Sequence, residues 1–195
     1  MTRDAVIGAL RAAPQPILDV PPSDWETEPV SKKAAVLVPL VDRDDGMSVI
    51  FGQRSERLNS HAGQISFPGG RIEDADADEA AAALREAEEE VALHPGQVEI
   101  IARLNTHRAG SGFAIAPLVG IVRPPVELKP DGVEFIDAFE VPLDFLTDPR
   151  NHRRESMFWR GADRWYSVFE YEDRYIWGAT AAILVNLIGV LKGHP

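Results

Sequence analysis

The sequence predicts an α/β (α+β) protein, a mixed β-sheet with helices on its faces. Three observations carry this expectation. Two Val- and Leu-rich runs, Ala34 to Val41 and Met47 to Arg54, flank a turn at Asp42 to Gly46 and read as paired strands. Asp78 to Val91 contains only good helix formers, with Ala80, Ala83, Leu84, Ala87 and Val91 at helical spacing. The apolar run Ala179 to Leu191 reads as a buried closing helix, with Gly193 just past its end.

The remaining elements follow in order. Residues 1–33 form an N-terminal extension with a short helix, Asp4 to Arg11, and a stretch holding Pro14, Pro16, Pro21 and Pro22. Proline lacks the amide hydrogen and fixes φ, so this stretch should run extended. Residues 34–195 make one domain; there is no internal repeat or second domain. Gln64 to Pro68 is a third short strand closed by Gly69-Gly70, and His94-Pro95-Gly96 ends the long helix. Strands are expected at Val98 to Leu104 and Ile115 to Val122. Asp131-Gly-Val-Glu134 has the layout of a capping box, opening a short helix that Pro142 stops. Met157–Trp159, Trp165–Tyr171 and Arg174–Trp177 look like a small hairpin system.

Composition narrows the function. The net charge is -11 and no basic stripe is visible, which argues against a nucleic-acid partner. Acidity suits solubility, and it also suits an enzyme that collects carboxylates around cations. With no cysteine, disulfides, thiolate metal sites and cysteine nucleophiles are excluded, and a reducing compartment fits. The N-terminus lacks the apolar core of a signal peptide, and the run through Asn186 is too short to span a bilayer. A soluble, cytoplasmic protein that does not engage membranes is the expectation.

The chemistry concentrates between Gly70 and Leu93. Glu86, Glu89 and Glu90 sit at i, i+3 and i+4, so one helical face projects all three. Clustered anions repel, and a divalent cation among them relieves that; hard oxygen ligands suit Mg²⁺ or Mn²⁺. A solvated acidic face is the plain alternative. The Phe67-Pro68-Gly69-Gly70 turn ahead of the helix favours the cation site, because glycines let backbone approach a ligand closely. Arg85 can pair with a carboxylate and fix its rotamer.

This segment resembles the Nudix box, Gly-x5-Glu-x7-Arg-Glu-hydrophobic-x-Glu-Glu-x-Gly-hydrophobic. Arg85-Glu86-Ala87-Glu88-Glu89-Glu90-Val91 fits its second half position by position. Ala92 stands in the glycine slot. The stretch from Gly70 to Arg85 is one residue longer than the general motif, so the first glutamate has no strict counterpart; Asp76 is the nearest substitute, with Glu73 and Asp74 close by. Ile50 to Glu73 is similar to the signature of the coenzyme A diphosphatase branch, matching at Arg54, Ser55, Leu58, His61, Gly63, Phe67, Pro68, Gly69 and Gly70. Gly52, Asn59 and Glu73 replace its threonine, arginine and aspartate. Further echoes lie at Phe113–Gly120, Glu134–Leu143 and Ile176–Ala181, so the resemblance covers residues 34–190.

The resemblance implies a Nudix fold, a mixed curved sheet sandwiched between helices. It implies Mg²⁺ or Mn²⁺ on Glu86, Glu89 and Glu90, a homodimer, and hydrolysis of a coenzyme A-like small molecule to 3′,5′-ADP and 4′-phosphopantetheine. Glu134 is a candidate general base, with a capping role as the alternative; Glu89 is a second candidate. Arg54, His61, Gly69 and Gly70 are the expected substrate contacts. Arg57 is either a further phosphate contact or a solvent-exposed side chain, and Arg108 or Arg153 would offset the lost arginine at Asn59. The other histidines, His94, His107, His152 and His194, follow no such pattern. Trp159, Trp165 and Trp177 read as core or dimer interface rather than a base platform. Two rivals stay open: a Nudix enzyme for another nucleoside diphosphate derivative or a nucleoside triphosphate, and a non-catalytic module that senses a nucleotide.

Overall fold

The computed structural model describes residues 1–14, 16 and 30–193. Pro21, Pro22 and His194 lie outside the described residues. Strand β1 (Lys32–Arg43) is the axis of the main sheet. It runs parallel to β7 (Phe113–Val122), from Lys32 opposite Phe113 to Val41 opposite Val122. Its other edge forks. The first half pairs with β4 (Gly69–Arg71), and the last part pairs with β2 (Gly46–Arg54). The sheet runs β3 (Ile65–Ser66), β2, β1, β7, β5 (Val98–Arg103), with β6 (His107–Arg108) on β7 and β8 (Phe135–Pro142) on β2.

Pro39 lies between the two arms of the fork. The Leu37 N–H, on the same edge, donates to the Pro68 carbonyl at 2.9 Å, whereas Pro39 has no N–H to offer. A proline in a central strand is tolerated where no ladder partner is required, and here it falls between the residues paired with β4 and those paired with β2.

Two apolar layers cover the sheet. On one face, α1 (Arg3–Ala12) and α4 (Gly178–Leu191) pack around Val38, Leu40, Val49 and Phe51; α1 contributes Val6 and Leu10, both buried. On the other, α2 (Glu79–Val91) lays Ala82, Ala83, Ala87 and Val91 against Ala35, Leu37, Ala116 and Leu118. Alanines at these positions let the helix backbone approach the sheet closely. A second sheet, β9 (His152–Trp159), β10 (Ala162–Tyr171) and β11 (Arg174–Ile176), is joined to the first by Arg174. Its guanidinium bonds Gln53 and Asp137, the latter at 2.7 Å, and stacks over Phe139 at 4.6 Å. No helix among the described residues is long and apolar enough to cross a membrane.

The main departure from expectation lies at 131–147. No helix opens at Asp131; residues 131–134 form a turn that enters β8. The Asp131 carboxylate accepts from the N–H groups of Val133, Glu134 and Phe135, so it caps a turn instead of a helix. Pro142 closes β8 and stands at the N-cap of a short helix, α3 (Leu143–Thr147). It opens a helix where the sequence suggested that it stops one.

Candidate active site

Helix α2 is fixed at both ends, and this sets where its glutamates point. At the start, the Asp78 carboxylate accepts from the Ala81 N–H at 2.8 Å, and Arg103 grips Glu79 at 2.6 and 3.1 Å. At the end, Ala92 takes a left-handed conformation, φ 59° and ψ 31°. The Leu93 N–H then reaches back to the Ala87 carbonyl, and buried Leu93 joins the apolar layer. Lys129 and Asp131 donate backbone N–H groups to the Val91 and Glu90 carbonyls, each at 3.0 Å. The loop carrying Glu134 is thereby tied to the helix end.

This orientation divides the trio. Glu90 is only 3% exposed, Glu86 is largely covered, and Glu89 stands out in solvent. One Glu90 oxygen, Oε2, accepts from the Gly69 N–H at 2.8 Å; the other, Oε1, is buried without a hydrogen-bond partner. Burial pushes the Glu90 carboxyl up to about 8, helped by the charges of Glu134 and Glu86 and opposed by the Gly69 N–H and Arg54. Burial also raises Glu86, against the pull of Arg85.

Each glycine leaves space that a side chain would take. A Cβ on Gly70 would lie 2.4 Å from Glu86 Oε1. Gly69 has φ +151°, and a Cβ there would lie 2.4 Å from the Ala35 carbonyl oxygen.

Arg85 organises the outer side of the cluster. Its Nε and Nη2 grip the two Asp76 oxygens at 3.0 and 3.1 Å, Nη1 bonds Glu86 at 3.0 Å and Glu89 at 3.3 Å, and Nη2 also donates to the Arg71 carbonyl. Asp76, the nearest substitute for the missing glutamate of the motif, is therefore the partner of Arg85, which holds its carboxyl below the ordinary range.

Glu134 arrives from the opposite side. Its charge raises both Glu86 and Glu90. Arg54 Nη1 pairs with Glu134 Oε1 at 2.7 Å, and the Arg54 guanidinium lies 5.9 Å from the Phe135 ring centre. The backbones are also joined, Ser55 N–H to Glu134 carbonyl at 2.8 Å. A register shift between Gln53 and Arg54 turns Arg54 toward this loop. Gly52 makes room, since a Cβ there would meet the Phe135 ring at 2.5 Å.

The other candidates lie apart from this cluster or are bound elsewhere. His61 is exposed at φ 55°, with Nδ1 2.9 Å from Gln64 Oε1. Arg57 and Asn59 are exposed on the same loop. Arg153 pairs with Glu170 and Glu155 in the second sheet, so its charge is already engaged there. His94 accepts from the Gly96 N–H, and His152 stacks on Phe169. Trp165 is 56% exposed, while Trp177 packs edge-to-face on Tyr166. A concavity of about 660 Å³ between the N-terminus and the β1–β2 turn shares no residue with the carboxylate cluster.

Among the described residues no three carboxylate or imidazole groups form a ready-made cation cage. Arg85 holds Glu86 and Glu89, and Arg54 holds Glu134. The donor chemistry still fits a hard divalent ion: the candidate donors are all oxygens, and a buried carboxylate oxygen lacks any protein partner.

Residues 31–179 match the sequence profile of the NUDIX domain. The chain belongs to the Nudix family. It is 38% identical over 156 residues to the protein named Uncharacterized Nudix hydrolase NudL of Escherichia coli K12, covering 80% of this chain and 81% of that one. It is 35% identical over 171 residues to Nudix hydrolase 15, mitochondrial, of Arabidopsis thaliana, covering 84% of this chain and 60% of the relative. A crystal structure of a Caenorhabditis elegans Ap4A hydrolase binary complex shares the fold, with a TM-score of 0.50 at 19% identity over 57% of this chain and 80% of that one.

The chain is thus a Nudix hydrolase, an enzyme of the pyrophosphohydrolase class. Nudix hydrolases act on small nucleotide-type molecules and generally use divalent cations such as Mg²⁺ or Mn²⁺. The Nudix box supplies α2 and the glycine turn before it. What sequence reasoning missed is the scaffold around the box. Gly52 clears space for Phe135, and Arg103 anchors Glu79. Neither has a local signal, because each partner is distant in the chain.

Proposed function

We propose that this Nudix hydrolase cleaves the diphosphate linkage of coenzyme A or a close derivative, releasing 3′,5′-ADP and 4′-phosphopantetheine. One observation carries the hydrolytic site. Glu90 and Glu86 lie against Gly69 and Gly70 within electrostatic reach of Glu134, and buried Glu90 Oε1 has no partner within the protein. Glu86, Glu89 and Glu90 would hold Mg²⁺ or Mn²⁺, with Glu89 turning inward from solvent. The cation, when bound, neutralises charge on the phosphoryl oxygens and lowers the pKa of a coordinated water.

The chain's own residues do the rest. Glu134 takes the proton from the attacking water as the new P–O bond forms and the bridging P–O bond breaks. Arg54 receives a phosphoryl oxygen through its planar fork. His61 offers its second ring nitrogen from the loop after β2, and the open backbone at Gly69 and Gly70 lets the diphosphate lie close to the sheet. Support for coenzyme A comes from the Ile50–Glu73 signature, whose residues build β2, the following loop and β3–β4.

The test is incubation with coenzyme A, ADP-ribose, nucleotide sugars and nucleoside triphosphates under one Mg²⁺ or Mn²⁺ condition, with product identification and kcat/KM for each. Coenzyme A or a thioester of it should rank first, and activity should vanish on chelation. A simple nucleotide ahead by tenfold would overturn the substrate assignment. Full activity in chelator would overturn the site.

A further inference from the structure

Arg54 and Glu134 are eighty positions apart, yet side chain and backbone both join them. The pair is uneven. Arg54 is mostly covered, its Nε is buried without a hydrogen-bond partner, and its plane lies over the Phe135 ring. Glu134 is more open, 39% exposed against 16% for Arg54, and two further carboxylates stand near it. The contact to Glu134 runs from Nη1 to Oε1 at 2.7 Å. A phosphoryl group presents two oxygens to the same fork and is a better partner for it.

We propose that Arg54 exchanges partners during the reaction: it holds Glu134 before substrate arrives, then takes the substrate's phosphoryl group and so releases Glu134 toward the water. This rests on the diphosphatase reading above and adds a coupling between two of its residues. The ligand class that triggers release is a diphosphate with a non-bridging oxygen pair at Arg54. The ion pair holds Glu134 at Arg54, whose positive charge offsets part of the repulsion among Glu134, Glu86 and Glu90 while the site is empty of substrate. Phe135 beneath the guanidinium and Gly52 beneath Phe135 keep Arg54 from following Glu134, so the fork stays in place for its second partner.

The test is a double-mutant cycle on the full-length protein. Affinity for methylenediphosphonate, which carries a non-hydrolysable P–C–P linkage, is measured by calorimetry at saturating Mn²⁺. The proteins are wild type, Glu134→Gln, Arg54→Ala and the double variant, with Arg54→Lys and its double variant as a second cycle. Mn²⁺ affinity is read separately by electron paramagnetic resonance. Exchange predicts that Glu134→Gln binds the diphosphonate at least about threefold tighter, because Arg54 is no longer engaged, and that this gain disappears when Arg54 is alanine. It also predicts that Arg54→Ala binds Mn²⁺ more tightly without diphosphonate. A gain from Glu134→Gln of equal size in both backgrounds is only the removal of a negative charge and overturns the exchange. If Arg54→Ala does not fold, the lysine cycle decides: the gain must shrink, since a point charge lacks the fork. A wild-type protein that neither binds the diphosphonate nor hydrolyses any diphosphate overturns the proposed function itself. One that does both but gives additive effects overturns only the exchange.

Discussion

Arg85 and Asp76 meet fork to fork, Nε on Oδ1 at 3.0 Å and Nη2 on Oδ2 at 3.1 Å. The same arginine reaches Glu86 and Glu89 and the Arg71 carbonyl. The loop of the Nudix box is thus closed onto the helix through one side chain, and Asp76 sets its orientation. Asp76 is itself held in a tight turn with Glu73, whose N–H donates to Oδ2 at 2.8 Å.

Asp76→Asn should loosen this arrangement and lower kcat by about tenfold or more, because a neutral amide cannot match the two-point ionic grip. Arg85 holds the Asp76 carboxyl below its ordinary value of 3.8. A depressed carboxyl stabilises the fold above its unfolded pKa, and that contribution is lost as pH falls through the folded value. The Tm gap between wild type and Asp76→Asn should therefore be constant at neutral pH and close below about pH 4. A gap that persists at pH 2 would show that the loss is packing and not charge.

Glu90 has the opposite sign. Its carboxyl is raised by burial to about 8, so its favourable contribution is complete below the unfolded value of 4.5 and is lost as pH rises through 8. In chelator at pH 9, Glu90→Gln should melt at least about 3 °C above wild type, since the amide carries no buried charge. The same substitution should cut metal-dependent kcat by at least about a hundredfold. A lower Tm at pH 9 in chelator would mean that Glu90 is stabilised as an anion by groups other than Gly69 and Arg54.

Ala92 occupies a conformation that costs an L-residue free energy, φ 59° at the helix end. Ala92→Gly should stabilise the protein by about 1 kcal/mol, or about 2–4 °C in Tm for a chain of this size. Thermal melts read this directly. A drop in Tm would show that the alanine methyl packs well enough to outweigh the strain.

Gly52→Ala should do the reverse. The added methyl meets the Phe135 ring at 2.5 Å, and Phe135 is fully buried. Overpacking of this kind costs about 1–3 kcal/mol. Because Phe135 lies under Arg54 and follows Glu134, kcat should fall as well, and Phe135→Leu in the same chain should recover part of both losses. Wild-type stability and rate in Gly52→Ala would show that the 134–135 turn shifts freely.

The sequence by itself determined the elements whose signal is local. The spacing of alanines on α2, the Val-rich β1 and β2 and the apolar α4 lie within a residue or two of where periodicity puts them. It also determined the Nudix box, because three glutamates at i, i+3 and i+4 after a double glycine form a contiguous pattern. Only the tertiary structure decided which glutamate is buried. Helical spacing puts Glu86, Glu89 and Glu90 on one side, but the docking angle of α2 on the sheet sends Glu90 inward and Glu89 outward. It likewise decided that residues 135–142 are a strand on β2 and not a helix. An Asp three residues before a Glu is compatible with either, and the open edge of β2 supplies hydrogen bonds that a short helix ended by Pro142 would lack. The Arg54–Glu134 pair was invisible in the sequence for the same reason. Local pattern records a residue's neighbours in the chain, whereas an ion pair eighty positions long exists only after β2 and β8 have found each other.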